Sequence, residues 1–154
     1  MYVYPSDLIT AAQQAQQKWL VPASVTLAQF GLESAYGKKM PPGSYNYFGI
    51  KAGAKPAPGT FVMARTREVN RFGKSYYINA AFRKFASPAE AFDFHAKLLA
   101  TNKVYAPAMK AWTTPPYDLA YGIKLMAKKY ATDPNYATLL LSIIHSQNLQ
   151  QYDH

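Results

Sequence analysis

The chain has 154 residues, 49% of them hydrophobic and 16% charged, which suits one folded domain spanning 1–154 with a sizeable core and excludes a disordered chain. Cysteine is absent, which excludes disulfides, thiolate catalysis and cysteine metal sites; the three histidines, His95, His145 and His154, are too dispersed to suggest a metal. Seventeen Lys and Arg against eight Asp and Glu give a formal charge of +9, which favours an anionic partner (nucleic acid, anionic lipid or a wall polymer) without choosing among them.

Residues 1–7 hold no basic stretch followed by an apolar one, so no signal peptide is expected. No apolar run approaches a membrane span; the longest, 139–144, reads as a core helix. Ser6 or Asp7 can cap a first helix over 6–19, with Leu8, Ile9, Ala12, Ala15, Gln16 and Trp19 on its buried side. Pro22 opens a second helix where a missing N–H costs little. Val25, Leu27, Ala28, Phe30, Leu32 and Ala35 leave that helix hardly any polar face, so it reads as buried, stopping at Gly37 with Lys38 and Lys39 at the negative end of its dipole.

Glu33 is a lone carboxylate in the last turn of that helix. The dipole should raise its pKa only slightly, since such end effects are about 0.3–1 kcal/mol. Burial beside Phe30 and Tyr36 would add a larger desolvation effect. A carboxylic acid kept protonated near neutral pH is what a glycosidase general acid requires. The alternative is a carboxylate at the core rim paired with Lys38 or Lys51.

Residues 40–51 are rich in turn formers and aromatics, as in a loop that covers a core or lines a groove. A Pro/Gly/Ala loop over 52–59 leads to a strand over 60–69, with Phe61, Met63, Arg65 and Arg67 on one face and Val62, Ala64, Thr66 and Glu68 on the other. A turn at 70–73 and a second strand over 75–85 complete a hairpin. Ser87-Pro-Ala-Glu90 reads as a capping box opening a third helix that buries Ala91, Phe94, Leu98 and Leu99. Pro107, Pro115 and Pro116 punctuate the stretch after it. A fourth helix is expected over 117–130, a turn at 131–134, and a last helix to about 149. The pattern is α+β: mostly helical with one inserted β-hairpin.

Eight acidic side chains can be assigned one by one. Asp7 reads as a cap, Glu90 as the capping-box partner, Asp118 as a helix start, Asp133 as an Asp-Pro turn, Asp153 as tail and Asp93 as a solvated helix face. Glu33 and Glu68 remain, one on a buried helix and one on a hairpin strand. Paired carboxylates flanking a groove are what glycoside hydrolysis uses. The alternative for Glu68 is a cross-strand partner for an arginine such as Arg65 or Arg83. No G-x-S-x-G elbow, P-loop, H-E-x-x-H or Cys/His pair is present.

Glu33-Ser34-Ala35-Tyr36-Gly37-Lys38 followed by Asn46-Tyr47-Phe48-Gly49-Ile50-Lys51 resembles the signature of the bacterial cell-wall β-N-acetylglucosaminidases of glycoside hydrolase family 73. The resemblance continues through Thr66-Arg67-Glu68-Val69, residues 81–85 and residues 130–136, and covers roughly 6–150. It implies a lysozyme-like α+β fold whose groove binds the peptidoglycan glycan strand. By the same resemblance, Glu33 would be the general acid. Glu68 would activate water or stabilise the oxocarbenium-like state, and Tyr130 would sit near the reacting sugar. Asn46, Phe48, Gly49 and Lys51 would shape the groove floor and bind substrate, with loop packing as the equal alternative to direct sugar contact for Asn46 and Phe48. Tyr136 and Asp133 read as mainly structural.

The implied protein is an endo-β-N-acetylglucosaminidase, expected to work as a monomer without cofactor, metal, nucleic acid or membrane insertion. Made without a leader, it would act on the bacterial wall after release or secretion, as a phage endolysin or a secreted effector does, and could have an immunity or delivery partner. A lytic transglycosylase or muramidase on the same fold is the nearest enzyme alternative; Phe48-Gly49-Ile50-Lys51 in place of a Gly-Leu-Met-Gln-like loop favours glucosaminidase. A non-catalytic basic module binding nucleic acid or wall polymers is the alternative of another class.

Overall fold

The apolar run in the first third of the chain becomes helix α2 (Ala23–Ser34), and the other elements gather around it. The computed structural model describes residues 1–154. Every residue from Ala23 to Gly31 is buried, and side chains such as Leu27 and Phe30 each contribute about 1.5–3 kcal/mol by leaving water. Helices α1 (Ser6–Trp19), α3 (Pro88–Thr101), α4 (Ala106–Thr113), α5 (Leu119–Tyr130) and α6 (Tyr136–Ser146) complete the helical body. α2 packs on α1, α6 and the short 3₁₀ turn Leu149–Tyr152; α1 also packs on α3, and α5 on α4 and α6.

Two strands, β1 (Phe61–Val69) and β2 (Ser75–Arg83), pair antiparallel as a hairpin between α2 and α3, with Glu68 opposite Tyr76. The expected alternation along β1 is present: Met63, Arg65 and Arg67 are exposed, while Val62, Ala64, Thr66 and Glu68 are half-buried. The segment around Lys51 bridges to Phe82 and extends the hairpin at its base, with Arg83 N–H donating to Ile50 C=O and Ala52 N–H to Ala81 C=O, both at 2.9 Å.

Several local expectations change. α1 has no side-chain cap: Pro5 takes that position, so neither Ser6 nor Asp7 serves. α2 ends at Ser34, short of Gly37, because Ala35 and Tyr36 already adopt left-handed conformations at φ 50° and 58°. Left-handed geometry costs a non-glycine residue roughly 1–2 kcal/mol, so this exit is held by specific contacts. Ser34 Oγ donates to Phe30 C=O and accepts from Gly37 N–H at 2.8 Å. The Tyr36 ring lies so close over Gly31 that a Cβ there would meet it at 2.5 Å.

On α3, Ser87 Oγ accepts from Glu90 N–H as expected, but Glu90 reaches back to Ala86 N–H. α3 buries Phe92, His95 and Ala96 beside Ala91 and Leu99, leaving Phe94 and Leu98 half-buried. α4 is an extra helix: Pro107, expected to interrupt, lies in its first turn, where its missing N–H is harmless. Asp93 is not simply solvated, since Trp19 Nε1 donates to it at 2.9 Å and Lys18 lies 3.5 Å away. Asp153 is no idle tail residue. Its carboxylate accepts from the backbone N–H and the hydroxyl of Ser24, both at 2.7 Å, and so caps the first turn of α2.

Candidate active site

The end of α2, the 48–51 loop and the elbow between α5 and α6 surround a groove into which Glu33 opens. Leu32, Phe48, Ile50, Leu98, Tyr105 and Leu139 make its walls largely apolar. Glu33 is its one glutamate. A second hollow, near α4, contains a single acidic side chain, Asp153, which is already committed to Ser24.

The α5–α6 elbow supplies the groove's polar chemistry. Tyr130 ends α5 and Tyr136 begins α6, with their rings stacked at 5.6 Å and 14°. Between them, Asp133 accepts from Asn135 N–H at 2.8 Å and shapes the turn, as its structural reading required. Tyr136 goes beyond such a role: its hydroxyl donates to Glu33 Oε1 at 2.7 Å. Desolvation raises the Glu33 pKa, and this hydrogen bond, which favours the ionised form, opposes the rise. Burial raises the Tyr136 hydroxyl far above the ordinary tyrosine value, with added repulsion from Tyr130 and Glu33, so Tyr136 stays a proton-bearing donor. Tyr130 is raised by the same causes, burial first and then Glu33. The raised pKa expected for Glu33 is present, but the side chain bonded to its carboxylate is Tyr136; Phe30 and Tyr36 do not line the groove.

Neither Lys38 nor Lys51 pairs with Glu33. Lys51 lines the groove and bonds through Nζ to Glu68 Oε1. Glu68 therefore sits on the hairpin side of Lys51 and does not itself line the groove. The arginines considered as its partners are engaged elsewhere: Arg65 lies over the Tyr77 ring at 4.1 Å and Arg83 over Phe94 at 4.3 Å.

Of the four loop residues expected at the groove, Phe48, Gly49 and Lys51 line it. Asn46 does not. It is 1% exposed, and its side-chain amide donates to Ile50 and Arg83 carbonyls at 2.8 and 2.9 Å while its oxygen accepts from Ile50 N–H. Both amide donors of Asn46 and one acceptor direction of its oxygen are spent on fastening the loop to the hairpin base, so it shapes the floor from beneath.

Tyr136 is the residue that sequence reasoning undervalued. A signal for it existed in Gln29, a lone amide on an otherwise apolar helix one turn before Glu33 and on the same face. A buried amide must find partners, and Gln29 donates to Tyr136 Oη at 3.0 Å.

The family model described as mannosyl-glycoprotein endo-beta-N-acetylglucosaminidase matches residues 9–149. The exo-glucosaminidase LytG of Bacillus subtilis is 34% identical over 98% of this chain and 53% of its own length. The peptidoglycan hydrolase FlgJ of Salmonella typhimurium is 35% identical over 86% of this chain and 42% of its own. The chain thus spans about half or less of the length of these curated relatives. The crystal structure of the catalytic domain of the autolysin Auto from Listeria monocytogenes matches at a TM-score of 0.81 and 30% identity, covering 99% of this chain and 91% of that one.

Proposed function

The chain belongs to the glucosaminidase family of glycoside hydrolases, and on that premise we propose that it cuts the peptidoglycan glycan strand after N-acetylglucosamine, with Glu33 as the general acid. The observation that carries this reading is the desolvated Glu33 carboxyl, opening into an apolar groove with one oxygen bonded to Tyr136.

In this mechanism Phe48, Tyr130 and the 49–51 backbone bind the sugars flanking the scissile bond. Glu33 gives its proton to the leaving glycosidic oxygen as positive charge grows on the ring. Tyr136 stabilises the carboxylate left behind by donating to it in the product of proton transfer, where the negative charge is new. Tyr130, whose hydroxyl makes no hydrogen bond within the protein, faces the reacting sugar. Glu68 serves from the hairpin rim as the second carboxylate, activating water or stabilising the oxocarbenium-like ring after Lys51 releases it.

The protein works on the bacterial wall, as an endolysin or secreted effector would, and as a monomer. The excess of positive charge suits the carboxylates and phosphates of that polymer. No helix is long and apolar enough to cross a membrane.

Purified peptidoglycan digested by the protein, reduced with borohydride and analysed by mass tests the reading. Reduced N-acetylglucosamine at the new ends is the expected result, with oligomeric products from internal cleavage. Release of single sugars would mean exo action. Anhydro-muramic ends would mean a transglycosylase, reduced muramic ends a muramidase, and no release a binding module.

A further inference from the structure

Tyr136 is one link of a longer chain of buried polar groups that runs away from the groove. His95 Nε2 lies 2.8 Å from Gln29 Oε1, Gln29 Nε2 3.0 Å from Tyr136 Oη, and Tyr136 Oη 2.7 Å from Glu33 Oε1. Gln29 and His95 are fully buried, and neither lines the groove. His95 lies flat on Phe48 at 3.9 Å, and its other ring nitrogen, Nδ1, has no partner.

Proton counting fixes the direction of this chain. An ionised Glu33 can only accept, so the single Tyr136 proton points to it. Tyr136 Oη must then accept from Gln29 Nε2, and Gln29 Oε1 from His95 Nε2–H. Reversing the direction requires the Gln29 amide to turn over and the His95 proton to move to Nδ1, where it meets no acceptor. We propose that Gln29 and His95 are positioning residues for the general acid. By locking Tyr136 as a donor to Oε1, they leave Oε2 as the only oxygen that can hold the catalytic proton, and so keep that proton turned toward the leaving group. This rests on the assignment of Glu33 as the general acid.

With Gln29 or His95 altered, Tyr136 is free to accept. A protonated Glu33 can then donate to it and turn its proton away from the sugar. The protonated form gains a partner and the ionised form loses a fixed one, so the Glu33 pKa rises. The titratable groups that line the groove with Glu33 are Tyr136 on α6, Tyr130 on α5, Tyr105 at the end of the short 3₁₀ turn Lys103–Tyr105, Asp133 in the α5–α6 elbow, and Lys51, the last bound to Glu68.

The double variant Gln29→Met with His95→Phe removes the chain while keeping volume and the ring on Phe48. On soluble glycan strands its kcat should fall about tenfold, a part of the 10²–10⁴ that proton transfer supplies. KM should change little, and the alkaline limb of the kcat–pH profile should move to higher pH. His95→Gln, which can still offer an N–H to Gln29, should recover most of the rate that His95→Phe loses. Independently of any variant's folding, ¹⁵N NMR of the unmodified protein should find His95 neutral with its proton on Nε2 throughout the active pH range. A proton on Nδ1 would overturn the inference. So would an unchanged kcat and alkaline limb in the double variant alongside an inactive Glu33→Gln. Activity surviving in Glu33→Gln would remove the general-acid reading itself, and this inference with it.

Discussion

Glu33 ends a helix buried from Ala23 to Gly31 and is reached by a tyrosine at the start of another, whereas Glu68 rides on a two-stranded hairpin whose far end exposes Phe72 by 80% and Tyr77 by 58%. Two strands alone are marginal in water. This pair is anchored at its base by the 44–52 loop, through Asn46 and the backbone bonds of Ile50 and Ala52. One carboxylate is set in a packed body and the other on a lever. The difference teaches that, in the proposed mechanism, the two groups would meet opposite demands: the proton donor must be pre-aimed, while its counterpart must approach after a bulky polymer has entered.

The comparison breaks most sharply at Glu33. Glu33→Gln should lower glycan cleavage by roughly 10²–10⁴, measured as reducing ends released. It should not lower the melting temperature at pH 7. Burial raises the Glu33 pKa in the folded chain, so its contribution to stability is full below the ordinary value of 4.5 and is lost as pH rises through the folded-state value. The neutral amide escapes that loss, so the variant should melt at an equal or higher temperature at pH 7 and show no such gain at pH 4. A clear drop in melting temperature at pH 7 would contradict the desolvated setting described for this residue.

Tyr136→Phe attacks the same body one step out. It strips Glu33 of its donor and leaves the buried Gln29 amide short of a partner, a loss of about 1–3 kcal/mol. The rate should fall and the alkaline limb of the kcat–pH profile should move upward, because the ionised form of Glu33 loses its stabilising bond. A fixed limb would deny Tyr136 any hold on Glu33.

The body should also announce itself in acid. Complete burial lowers the His95 pKa to about 3, so its contribution to stability is present above the ordinary value near 6.5 and is lost as pH falls through the interval to 3. Groups packed around it (Gln29, Phe48 and Tyr130) carry no charge there. Urea melts between pH 7 and 4 should show this decline, and His95→Gln should flatten it.

On the lever, effects should be smaller. Glu68→Gln should cost activity about tenfold and stability under about 1 kcal/mol, since its pair with half-exposed Lys51 is a surface contact. A stability loss of several kcal/mol would make Glu68 a structural strut. Phe72→Ser, at the exposed tip, should stay within about 0.5 kcal/mol of the parent in the same melts.

The body and the lever were also unequally legible in the chain. The hairpin could be read almost residue by residue, because period-two alternation and Asn70-Arg-Phe-Gly73 are local signals. So could the buried character of α2 and the oddness of a carboxylate at its end. What escaped was long-range. Tyr136 lies 103 residues from the glutamate it bonds and Asp153 lies 129 from the helix it caps. No periodicity links such pairs. Asn46 was half-legible for a related reason: its motif left groove contact and loop packing both open, and only the folded loop shows its amide consumed by Ile50 and Arg83. α4 was missed because Pro107 reads as a break in an element and as the start of one alike.

The Asp153 cap has a consequence for how the protein is made. Synthesis delivers the chain from its first residue onward, and segments fold as they emerge. The acid-bearing helix leaves the ribosome early, yet its first turn waits for residue 153 and its glutamate waits for residue 136. The glutamate is thus made long before its hydrogen-bond partner, and a nascent or prematurely terminated chain carries Glu33 without the Tyr136 bond and without the Asp153 cap on its helix.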